Sequence, residues 1–93
     1  MIEVDSFTIR YVGRQDRVEE IERLLLPQMV DTERFKYETE KSQLPNGKCE
    51  VVIICSGDPL VVEKKFLEEH TLIQKYKLAL RIRGVKVSLT KTD

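Results

Sequence analysis

Few side chains in this sequence belong to the kinds that do chemistry. His70 is the single histidine. A general base or a zinc site needs companions, and on a helix Glu68 and Glu69 sit on other sides of it. Cys49 and Cys55 are the two thiols. Six apart on one strand, at about 3.3 Å per residue, they stand about 20 Å from each other. A disulfide needs Cα atoms within about 7 Å, so they read as two small buried hydrophobes in a reducing, cytoplasmic setting. Glu19, Glu20 and Glu22 read as solvated carboxylates at the positive end of a helix rather than as an acid–base cluster. Asp58 is explained by helix capping, and Ser56-Gly57-Asp58, with an acid beside its glycine, is a poor phosphate cradle. No pair of groups takes acid and base roles. The chain is expected to be no enzyme, with no cofactor and no metal.

Charge is more informative. The formal net charge is zero, with 16 Lys+Arg against 16 Asp+Glu. The balance is uneven along the chain, however. Residues 75–93 carry six basic side chains against Asp93 alone, and the first 74 residues carry the compensating acidic excess. Lys77 and Arg81 are i,i+4 neighbours on one helix face. With Arg83 and Lys86 they form the candidate contact set, suited to RNA phosphates or to an acidic protein surface.

These groups need a scaffold, and 93 residues supply one α+β domain spanning 1–93. The composition, 41% hydrophobic and 34% charged, excludes a disordered or collagen-like chain. The longest apolar run, Val51 to Cys55, falls far short of the roughly 20 residues of a membrane span. Met1 to Asp5 lacks the basic start of a signal peptide.

Alternation of Phe7, Ile9 and Tyr11 predicts a first strand over 6–12, ended by Gly13. Asp16 and Glu19 form a capping-box pattern for a helix over 17–26, stopped by Pro27. A second strand spans 35–41, with one face buried and one wet. Asn46-Gly47 then signals a hairpin into a third strand over 48–56. That strand is apolar on both faces, which marks a central strand or one whose second face another chain covers. Asp58-Pro59 opens a helix and Gly84 closes it, giving one helix of about 24 residues. A rival parse makes 75–82 a strand, since Tyr76, Leu78, Leu80 and Ile82 also alternate. Val85, Val87 and Leu89 form a short last strand or an extended tail. The expected architecture is an antiparallel sheet of three or four strands with two helices on one face, in the order β-α-β-β-α(-β).

The run from the first helix through KCEVVIICSGDPLVVEKKFLEEHTLIQKYKLALRIRG (48–84) resembles the small dimerising subunit of the KEOPS complex, the Pcc family. KEOPS makes threonylcarbamoyl-adenosine in tRNA. The resemblance implies the fold, a dimer habit and an accessory role, and it carries over no individual residue. It implies a homo- or heterodimer with a similar small subunit, a larger catalytic subunit as a further partner, and tRNA within the assembly. The alternative is a ferredoxin-like regulatory domain of the ACT type that holds a small ligand. On the long helix, Phe66, Ile73 and Leu80 are expected to face the chain's own sheet. Leu72, Ala79 and Ile82 are expected to meet a second chain.

Overall fold

The computed structural model describes residues 5–25 and 32–92. Strand β1 (Asp5–Arg14) alternates sharply: Phe7, Ile9 and Tyr11 are sealed, while Arg10 and Arg14 are exposed. Helix α1 (Gln15–Leu25) follows without a connector, and buries Val18 and Ile21. Strands β2 (Phe35–Gln43) and β3 (Lys48–Gly57) form the expected hairpin. Its turn, Pro45–Gly47, is a single tight 3-10 turn in which Asn46 takes the left-handed conformation, φ 68°, that its short amide side chain tolerates. Helix α2 (Pro59–Lys75) begins where sequence chemistry says it should. The Asp58 carboxylate accepts the Leu60 N–H at 3.0 Å, and Pro59 occupies the position whose N–H has no use. A short helix α3 (Lys77–Ile82) leads into strand β4 (Lys86–Thr92).

The sheet order is β2-β3-β1-β4, and all three pairings are antiparallel. Strands β1 and β2 therefore run parallel with β3 between them, and β3 and β4 run parallel with β1 between them. Each such pair needs a crossover, which α1 supplies for the first and α2–α3 for the second. Two interleaved split βαβ units define the ferredoxin-like architecture. The α+β class, the strand sense and the optional final strand are as expected.

The core lies between the sheet and the helices. Phe7, Ile9 and Tyr11 of β1 meet Cys49, Val51, Ile53 and Cys55 of β3, and Val18, Ile21, Val62 and Leu80 close over them. Phe66 packs edge-on against Phe7, with ring centroids 5.7 Å apart. Both cysteines are free and buried.

Several expectations need correcting. Gly13 does not end β1, which continues to Arg14. Asp16 lies inside the first turn of α1 and pairs with Arg14 at 3.2 Å, so the helix starts straight from the strand and not from a capping box. The expected stop at Pro27 lies outside the described residues. On β2 only Phe35 is buried and Tyr37 half-buried; Thr39 is exposed because β2 is the sheet's edge. The single long helix is two helices, broken at Tyr76, whose φ and ψ of −98° and 10° leave the helical well. Beyond the break Leu80 is buried in the core while Leu78 stays 69% exposed. Residues 77–82 are helical, which removes the strand parse.

Candidate partner-binding groove

The end of α3 is fixed by a pair of backbone bonds. The Val85 N–H donates to the Leu80 carbonyl at 3.0 Å, and the Gly84 N–H donates to Arg81 at 3.1 Å. This is a Schellman closure, which needs the φ of +70° that Gly84 adopts, and Leu80 and Val85 add its usual apolar contact. The closure turns the chain sharply from helix to strand and leaves a groove of about 400 Å³ between them. Ile73, Leu80, Val85 and Val87 supply apolar lining, and Lys77, Arg81 and Lys86 add three cationic groups to it. Among the described residues none of these three cations has an ion-pair partner.

Arg83, the fourth basic residue singled out by sequence, is engaged elsewhere. Its Nε lies 3.4 Å from Glu20 on α1, and its guanidinium also donates to the Ala79 carbonyl. It fastens the two crossover helices together. The carboxylates of α1 are likewise partnered: Glu22 meets Lys41 of β2 at 3.0 Å, and Glu20 also meets Arg17 at 3.5 Å. The Lys41 ammonium is held above its usual pKa, first by its hydrogen bond to Glu22 and then by that carboxylate's charge. Among the described residues no group of His, Cys, Asp or Glu is arranged to hold a metal, and His70 is exposed on α2.

The expected interface residues divide. Leu72 packs against the chain's own core, Ala79 is half-buried, and Ile82 is 76% exposed. Of the expected core line, Leu80 is buried while Phe66 and Ile73 are partly so. Charge alone does not mark Tyr76, which lies within the basic run. It is part-exposed beside the groove-lining Lys77, and Lys75 Nζ lies 5.6 Å from its ring centroid, a cation–π contact. Alternating Lys-Tyr-Lys in the sequence is the signal that marks it.

No family model matches the chain, and no curated protein matches it. Among solved structures it is similar to the de novo designed protein Foldit4, with a TM-score of 0.66 and 22% identity over 98% of both chains. That likeness shows the fold. A hydantoinase/carbamoylase family amidase from Burkholderia ambifaria aligns with a TM-score of 0.46 and 13% identity, over 97% of this chain and 27% of the amidase. Among the described residues no helix is long and apolar enough to cross a membrane.

Proposed function

We propose that the chain is a non-catalytic accessory subunit, which seats itself in a larger assembly by holding an acidic segment of a partner protein in the groove between α3 and β4. The observation that carries this reading is the meeting of Lys77, Arg81 and Lys86 around an apolar-lined cleft. Apolar lining favours a peptide with alternating acidic and hydrophobic side chains over a bare polyanion. Among the described residues no strand lies beyond β4, so its outer edge offers backbone groups as a second means of gripping an extended segment. The tRNA-modifying KEOPS complex is the assembly that the sequence resemblance suggests, with tRNA phosphate as the alternative polyanion.

Fluorescence anisotropy separates the two. A labelled peptide rich in Glu and Leu should bind the full chain, and Arg81→Glu should weaken it at least tenfold by replacing attraction with repulsion. Transfer RNA should bind the isolated chain weakly. With about three phosphate contacts its log–log salt slope would be near −3. Peptide binding untouched by Arg81→Glu contradicts the proposal.

A further inference from the structure

We propose that a second groove, beside α2 and the start of β2, binds a small organic cation whose ammonium group meets the Glu69 carboxylate. The groove has a volume of about 550 Å³ and is lined by Phe35, Leu67 and Leu72 together with Glu69. Glu69 is 5% exposed, yet its Oε2 has no hydrogen-bond partner. The Tyr11 hydroxyl, also sealed, lacks one too. The two groups are near enough for the Glu69 charge to oppose ionisation of Tyr11.

An unpartnered buried carboxylate calls for a hydrogen-bond donor, and a cationic one most of all, because a desolvated charge gains most from a charged partner. Among the described residues no cation forms an ion pair with Glu69, although the Lys65 charge reaches it. Lys65, on the same groove, turns to Glu68 at 3.5 Å, while Lys64 is exposed. Thr71 spends its hydroxyl on the Leu67 carbonyl at 2.9 Å. An amine with a short aromatic or aliphatic body fits both halves of the groove, its body against Phe35, Leu67 and Leu72 and its ammonium on Glu69.

Binding of a cation requires the ionised carboxylate. Burial first, and then the Glu68 charge, holds the Glu69 proton on to a higher pH than usual, while Lys65 opposes this. The other titratable groups close to it are Tyr11 of β1 and Cys55 of β3, both kept neutral by burial. Affinity for the cation should therefore fall on acidification.

Titration of the full chain with phenethylammonium, followed by NMR or calorimetry, tests the site against its neutral isostere 2-phenylethanol. The amine should bind saturably at pH 8 and at least tenfold more tightly than the alcohol. Glu69→Gln should remove that preference, leaving amine and alcohol equal. Leu67→Ala, at a lining side chain 58% exposed and so free of the core, should weaken both ligands. If Glu69→Gln does not fold, the wild-type chain still decides: amine affinity should fall between pH 8 and pH 5 while alcohol affinity holds. Equal affinity for the two ligands, amine binding that survives Glu69→Gln or acidification, or no saturable amine binding, each overturns the proposal.

Discussion

Gly57 ends β3 at a φ of 154°, and a Cβ placed there would stand 2.0 Å from the Arg34 carbonyl oxygen. That oxygen already accepts the Asp58 N–H at 2.9 Å, so the backbone at this crossing cannot give way cheaply. Gly57→Ala should cost about 3 kcal/mol in urea denaturation, at the upper end for overpacking. Phe66 is only partly buried, yet it carries the edge-on contact with Phe7. Truncation to Ala should cost about 2–3 kcal/mol, below the full range for a sealed aromatic. Glu69 gives a pH signature with a definite sign. As pH rises from 4, the unfolded chain loses this proton first, and the folded chain holds it longer because burial disfavours the charge. The native state then binds more protons, so stability falls across the interval between the usual carboxylate pKa and the raised one, and levels off above it. Thermal melts at pH 5 and pH 7 should show a smaller loss for Glu69→Gln than for the wild-type chain. An equal loss in both would mean that Glu69 is already ionised at the lower pH.

At the scale of elements, what was legible follows local chemistry. Asp58-Pro59, Gly84 and Asn46-Gly47 each marked its boundary through a capping or turn requirement that lies within a few residues. The strand alternation of Phe7, Ile9 and Tyr11 likewise identified the face that the helices cover. What the sequence hid depends on tertiary geometry. No Gly or Pro announces the break at Tyr76, beyond which Leu80 is buried in the core and Leu78 and Ile82 are left outside. The basic set was legible as charge but not as a site. Only the Schellman closure shows that Lys77, Arg81 and Lys86 share a groove while Arg83 turns to Glu20. Glu69, among six Glu and Lys residues on α2, gave no sign that it alone is buried. The closure itself can be tested. Gly84→Ala forces a side chain into φ +70° with no atom within 4 Å to clash, so the cost should be purely conformational, about 1 kcal/mol by urea denaturation. Because the groove is shaped by that turn, acidic-peptide affinity should fall along with stability.

Across the whole molecule, the uneven charge of the sequence becomes a spatial arrangement. Acidic residues of α1 are largely matched by Arg17, Lys41 and Arg83, whereas the groove cations at the other crossover remain unmatched. Apolar groups are left over too. Leu60, Leu67, Leu78 and Ile82 stand more than half exposed on α2 and α3, and Val52 and Ile54 are half-covered on the sheet face away from the helices. Surface of this kind favours association. Light scattering at 100 μM should give a mass above that of one 10.9 kDa chain, falling on dilution; a monomer mass at every concentration would count against it. Amide chemical-shift mapping of the labelled chain with the acidic peptide locates the partner's seat. Saturable shifts should be confined to residues 73–77 and 80–89. Shifts centred on the open face at Val52 and Ile54, or none at saturating peptide, would contradict a seat in the groove.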